Sequence, residues 1–284
     1  MGKQAGETGM TTLVYLVVSF VAALLLIPFW AELMRLVRHL EVNYRGRTIP
    51  QSMGGVYPLV FLLAAAWANR TGLISSEFLI RMMIVTVGFG VLGLVDDIWG
   101  DGSDKGFGGH FRRFFSYGQV STGLFKAVAG FLLSLWAVAG LPGFFLLIFW
   151  RALLVALAAN MLNLLDLRPG RSLKLFFLLA LLYAGLVSSE TGILLLFPFL
   201  LGSLVYFPTE MAERGMLGDA GANVLGGALG LTVVLTAPAM FQVALFVFLL
   251  LMNILAERVS LTQLIAKTPL LHFFDYLGIK DGDK

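Results

Sequence analysis

Apolar runs close to twenty residues long recur along this chain, and they leave it almost no soluble fold to adopt. They fall at roughly residues 11–30, 54–69, 78–96, 121–139, 142–165, 172–188, 190–206, 221–237 and 239–257. Wound as a helix, such a run matches the hydrocarbon thickness of a bilayer and satisfies its own backbone polar groups in lipid. Only 13% of the 284 residues are charged, against about 25% in soluble domains, and the mean hydropathy is +0.88. The pattern predicts an all-α, polytopic membrane protein of about nine transmembrane helices. The first run has no small-residue cleavage site behind it and reads as an anchor. No linker, low-complexity tract or internal repeat divides the chain, so residues 1–284 read as one domain. With no cysteine, the chain forms neither disulfides nor thiolate metal sites.

Lysine and arginine are shared unequally between alternate connections. Most fall in residues 35–47, 105–113, 126, 168–174, 214 and 258–284, whereas the other side has Lys3, Arg70 and Arg81. The positive-inside rule then puts the amino terminus outside and the carboxyl terminus in the cytoplasm. Asp96, Asp97, Asp219 and the polar segment 160–171 all come to the cytoplasmic edge, which makes that the active face. Carboxylates at membrane depth are costly and mark function. Three at one face suggest a divalent cation and a phosphorylated substrate. The net charge of only +3 argues weakly for anionic partners, and no nucleic acid is expected. Arg151 lies mid-span with no partner that the sequence identifies.

Four cytoplasmic segments carry the chemistry. They are Arg45-Gly-Arg-Thr-Ile-Pro-Gln-Ser-Met-Gly-Gly55, Gly93-Leu-Val-Asp-Asp-Ile98, Asn160-Met-Leu-Asn-Leu-Leu-Asp166 and Gly218-Asp-Ala-Gly-Ala-Asn-Val-Leu-Gly-Gly227. Taken singly, each has a plain structural reading. Asp96 and Asp97 could cap the third span, and Asp219 could cap the next helix. Asn160 and Asn163 could bond between helices, and Gly226 and Gly230 are spaced for close helix packing.

Together and in this order, the segments resemble the polyprenyl-phosphate sugar-1-phosphate transferases (glycosyltransferase family 4). Within that superfamily the chain is most similar to the phospho-N-acetylmuramoyl-pentapeptide transferases, over about residues 45 to 278. The tail Thr268-Pro-Leu-Leu-His272-Phe-Phe-Asp-Tyr-Leu-Gly278 shares in the likeness. The resemblance implies a bacterial cytoplasmic-membrane enzyme that moves a sugar-1-phosphate from a UDP-sugar to undecaprenyl phosphate and releases UMP. It implies Mg²⁺ as cofactor, with Asp219 as first ligand and Asp97 as second. It assigns Asp96, Asp97, Asn163 and Lys126 to catalysis, and Arg47, Asn160, Asp166, Arg168, Arg171 and His272 to substrate contacts. The implied partners are a polyprenyl phosphate, a nucleotide sugar and the bilayer, with a homodimer left open.

Three departures mark the chain as a divergent paralogue. After Asp166 the family continues Gly-Leu-Asp-Gly, whereas this chain reads Leu167-Arg-Pro-Gly-Arg171. Of a triple histidine only His272 remains, and the family's tenth span has no counterpart. Arg168 and Arg171 are expected to bind phosphate as guanidinium forks. The segment 100–113, with Lys105, His110, Arg112 and Arg113, is expected to cover a phosphate. The alternative is a catalytically weak paralogue that binds lipid carrier or a cell-envelope partner. A transporter fits less well, because the acids lie at the edge and not at midplane.

Overall fold

The computed structural model describes residues 2–100 and 122–278. Helix α1 (Gly2–Leu36) leads into a two-stranded antiparallel hairpin, β1 (Leu40–Val42) and β2 (Thr48–Pro50), with Glu41 opposite Ile49. A 3₁₀ turn at Met53–Val56 enters α2 (Tyr57–Thr71), followed by α3 (Ser76–Trp99), α4 (Thr122–Val138) and α5 (Phe145–Leu165). Then come α6 (Arg171–Leu186), α7 (Glu190–Met211), α8 (Gly218–Thr236) and α9 (Ala239–Arg258). Two short helices, α10 (Leu261–Lys267) and α11 (Pro269–Tyr276), follow. The hairpin is a small local addition that leaves the all-α class standing. Its strands are only three residues each, too short to leave an alternating pattern in the sequence.

Among the described residues, six helices are long and apolar enough to cross a membrane: α1, α3, α5, α7, α8 and α9. Helices α2, α4 and α6, at 15, 17 and 16 residues, fall short of that length. At about 1.5 Å per residue they reach roughly 22–26 Å, against a hydrocarbon core of about 30 Å. Large apolar side chains such as Leu25, Leu181, Met240 and Leu251 point outward all round the bundle. Such a continuous apolar exterior suits lipid and not water.

Helix α8 is the hub. In its most apolar window 89% of residues are buried, against 22% for α9 and 28% for α1. Its sequence explains this, because apart from Asn223 only Gly, Ala, Val and Leu occupy 220–231, and the Gly and Ala positions let neighbours approach closely. Helices α3 and α5 pack most extensively on it. Among the described residues, Arg151 Nε, Ser172 Oγ, the Tyr206 hydroxyl and one Glu210 carboxylate oxygen are buried without a hydrogen-bond partner. Other polar groups inside the bundle are paired across helices. Pro198 in α7 lacks the N–H that would bond the Leu194 carbonyl, and the Tyr15 hydroxyl of α1 donates to that carbonyl at 2.9 Å. Arg151 finds its partner in the Pro142 carbonyl at 2.8 Å.

Candidate active site

All four motifs meet at the start of α8. Gly218, in the left-handed region at φ +73, turns the chain into that helix, and a Cβ there would press on Asp97 and on the Ser52 backbone. Gly93 lies one turn before Asp97, against the Asp219–Ala220 backbone, where a side chain would collide. That approach brings the Asp97 carboxylate to the end of α8. Its Oδ1 accepts from the Asp219 N–H at 3.0 Å and its Oδ2 from the Ala220 N–H at 3.2 Å. The Ser52 hydroxyl donates to Oδ2 at 2.5 Å, and the Gln51 amide reaches Oδ1 at 3.4 Å. Ser52 is itself held in a left-handed conformation, φ 55, with its carbonyl accepting from the Trp30 indole at 2.9 Å. His39 Nε2 lies 2.8 Å from its hydroxyl. A carboxylate offers about four acceptor positions, and here four donors converge on them. The structure therefore seats Asp97 as the cap of α8, where its charge also complements the helix dipole.

Asp96, its neighbour, points about 100° away round the helix and faces different partners. Lys126 of α4 donates to Asp96 Oδ2 at 3.0 Å and makes a close ion pair with Asp219 Oδ2. With its amide oriented to suit its neighbours, Asn163 accepts from Lys126 Nζ at 3.0 Å and donates to Asp219 Oδ1 at 2.7 Å. Asn223, one turn along α8, donates to the Asp219 carbonyl at 2.7 Å. Lys126, Asp96 and Asp219 are 17%, 22% and 26% exposed, so these charges sit in a recess open at one side.

That recess is the polar end of a cavity of about 350 Å³. Its polar lining is Asp96, Lys126, Asn160, Asn163, Asn223 and Glu257, and its apolar lining includes Phe89, Leu92, Phe131, Leu153 and Leu157. Asn160 also donates to Asn253 Oδ1 at 2.6 Å, which ties α5 to α9.

The remaining predicted contacts lie elsewhere. Asp166, just past α5, lines a smaller cavity of about 60 Å³ with Arg168, Glu210, Glu213 and Tyr44. Burial first, and then the Asp97 charge, push its carboxyl up to about 7 against the pull of the Gly218 N–H. Arg168 lies over the Tyr44 ring, 5.2 Å from its centre. Arg47 is half exposed and 3.9 Å from Glu213, which also holds Asn43, Tyr44 and Arg45 and so anchors the hairpin. Arg171, read from the sequence as a phosphate fork, is instead buried and bidentate to Asp275 at 2.5 and 2.7 Å, with Thr262 at 3.0 Å. A buried guanidinium needs a carboxylate, and Asp275 supplies it from α11. Burial alone would raise the Asp275 carboxyl, but Arg171 holds it below its ordinary value. His272 is exposed and stacks on Tyr276 at 4.5 Å, away from the 350 Å³ cavity. Lys105, His110, Arg112 and Arg113 lie outside the described residues.

Sequence reasoning missed Ser52, His39, Asn223 and Asp275. Asn223 had a signal, one helical turn after Asp219. The others become partners only through distant packing.

No family model matches the chain. It is 27% identical, over 289 aligned positions, to a phospho-N-acetylmuramoyl-pentapeptide-transferase of Symbiobacterium thermophilum, and the alignment covers 92% of this chain and 86% of that protein.

Proposed function

We propose that this chain is an enzyme of the bacterial cytoplasmic membrane that transfers a sugar-1-phosphate from a UDP-sugar, of the UDP-N-acetylhexosamine kind, to undecaprenyl phosphate. It crosses the membrane about nine times with its amino terminus outside, the shorter helices included. The products are UMP and a lipid-linked pyrophosphoryl sugar for cell-envelope polymers. One observation carries the reading: a lysine ammonium gripped by Asp96, Asp219 and Asn163 in a cavity that Asn160, Asn223 and Glu257 also line and whose remaining wall is apolar. A lipid phosphate suits both ends, its headgroup against Lys126 and its chain along Phe89, Leu92 and Phe131. The name of the Symbiobacterium relative supports the reaction class.

In the reaction, an oxygen of the lipid phosphate bonds to the sugar-bearing phosphorus of the donor. The bond from that phosphorus to the bridging oxygen breaks, and UMP leaves with that oxygen. A phosphomonoester has a second pKa of about 6, so its attacking oxygen is already ionised and needs no strong base. Lys126 offsets negative charge at the polar end, Asn163 orients Asp219, and Asp97 holds the end of α8 that carries Asp219. Asp96 and Asp219 suit Mg²⁺, because they are hard oxygen donors and already enclose a cation, the Lys126 ammonium. Bound there, Mg²⁺ would offset phosphate charge during transfer.

A second reading is a catalytically weak paralogue that binds lipid carrier. It is favoured on the donor side, where Arg171 and His272 are engaged elsewhere and the Asp166 cavity holds only about 60 Å³. Ligand pockets usually offer about 300 Å³ or more. The deciding experiment measures UMP release by purified protein with undecaprenyl phosphate, Mg²⁺ and a panel of UDP-sugars, beside Asp96→Asn and Asp219→Asn. Lipid- and Mg²⁺-dependent UMP that both variants lose supports the transferase and names its donor. Lipid binding without turnover on any donor favours the second reading.

A further inference from the structure

The Lys126 ammonium has three N–H donors, and three oxygens receive them: Asp96 Oδ2, Asp219 Oδ2 and the Asn163 amide oxygen. These are the oxygens a divalent cation would need. An ammonium and a divalent ion compete for them, since both need the same carboxylate oxygens and repel each other at that distance. Lys126 has room to leave. Gly123, Ala127 and Gly130, which line the cavity from α4, are small, and the four-carbon stem above them is flexible. The cavity also supplies a destination, because a phosphate lying in it would carry about −1.5 to −2 charges.

We infer that Lys126 is a built-in counter-ion that keeps the divalent-cation position closed until a phosphate group enters the cavity and draws the ammonium away. The inference rests on the transferase reading for the identity of the ion. In the resting protein Lys126 offsets one of the two carboxylate charges and occupies their facing oxygens, so a divalent ion binds weakly. A phosphate takes Lys126 as its own partner and frees Asp96 and Asp219, so cation and phosphate bind with positive cooperativity. Linkage makes the effect reciprocal: each ligand tightens the other by the same factor.

The test measures Mn²⁺ affinity by electron paramagnetic resonance on the full chain in detergent. Wild type is compared alone and with undecaprenyl phosphate, UDP or inorganic phosphate. At least one phosphate ligand is expected to tighten wild-type Mn²⁺ binding by about tenfold or more. The ligand that does so identifies whether lipid or donor phosphate meets Lys126. Lys126→Gln is expected to bind Mn²⁺ about tenfold more tightly than wild type without phosphate, and to lose the response to it. Lys126→Arg keeps the charge and should stay weak without phosphate. Wild-type affinity indifferent to all three phosphates, or a Lys126→Gln affinity no better than wild type, overturns the inference. The wild-type arms need no variant, so a Lys126→Gln protein that fails to fold leaves the test intact. UMP release is read separately. Coupled Mn²⁺ binding without turnover sinks the transferase and leaves the role of Lys126 standing, whereas turnover with uncoupled binding does the reverse.

Discussion

Adjacent aspartates divide the labour because a helix sends consecutive side chains in different directions. Asp97 gathers four donors from two segments, while Asp96 keeps its face to Lys126 and the cavity. Asp97 therefore bears on folding as much as on chemistry. Replacing it with asparagine leaves one acceptor oxygen and turns an N–H₂ toward other donors. The expected loss is about 1–3 kcal/mol, with about 1 kcal/mol for Ser52→Ala. Because both act on one hydrogen-bonded unit, the double variant should lose less than the sum. Thermal unfolding of the four proteins in one detergent checks this, and additive losses would show that Ser52 and Asp97 act independently. Asp166 gives a pH signature of defined sign. Its carboxyl titrates near 3.8 when unfolded and at about 7 when folded. Over that interval the folded chain holds a proton that the unfolded chain has released, so stability falls as pH rises. Asp166→Asn stays neutral throughout. The melting temperature of wild type should thus drop relative to Asp166→Asn from pH 5 to pH 7, and parallel curves would refute the shifted titration.

Helices meet here through groups that each helix leaves unmet. In α7, Pro198 orphans the Leu194 carbonyl, and α1 answers with Tyr15. Tyr15→Phe should cost about 1 kcal/mol, within the range for hydrogen bonds between membrane helices. In a Pro198→Ala background the same change should cost almost nothing, since alanine restores the backbone N–H that the Leu194 carbonyl is missing. Unfolding in mixed micelles measures this cycle, and equal costs in both backgrounds would mean that Tyr15 serves some other contact. The helices themselves were legible in the sequence, because lipid forces a long apolar run to satisfy its own backbone. Asp96, Lys126, Asn163 and Asp219 were legible as motif positions, and their side chains do converge. The Ser52 relay was not, since nothing local marks a serine that adopts a left-handed backbone under a distant tryptophan. Arg171 misled for a related reason. Its carboxylate partner, Asp275, lies 104 residues away, on an eight-residue helix that no long apolar run announces.

At the scale of the whole molecule, length and charge pull toward different counts of crossings. Length and hydropathy qualify six helices among the described residues, yet the basic residues alternate sides as they would if α2, α4 and α6 also crossed. Leaving those three out would change which ends share a face. Asp96 at the end of α3 and Asp219 at the start of α8 touch one lysine, so both ends must open on the same side in either case. The connections are what separate the two counts. With three short helices crossing, the end of α2, the α4–α5 turn and the start of α7 lie outside, and the α7–α8 turn lies inside with α10. Short helices can be accommodated by local thinning of the bilayer at modest cost, and α4 gains further from Lys126, whose charge is already paired at one end. The chain has no cysteine, so single exposed replacements report their side directly. Arg70→Cys, Pro142→Cys and Glu190→Cys should react with a membrane-impermeant maleimide in right-side-out vesicles, and Arg214→Cys and Lys267→Cys only in inverted ones. If Arg70→Cys or Glu190→Cys labels with the second group, α2 or α6 does not cross. The nine-span topology would then fall, while the Lys126 cluster would keep its place.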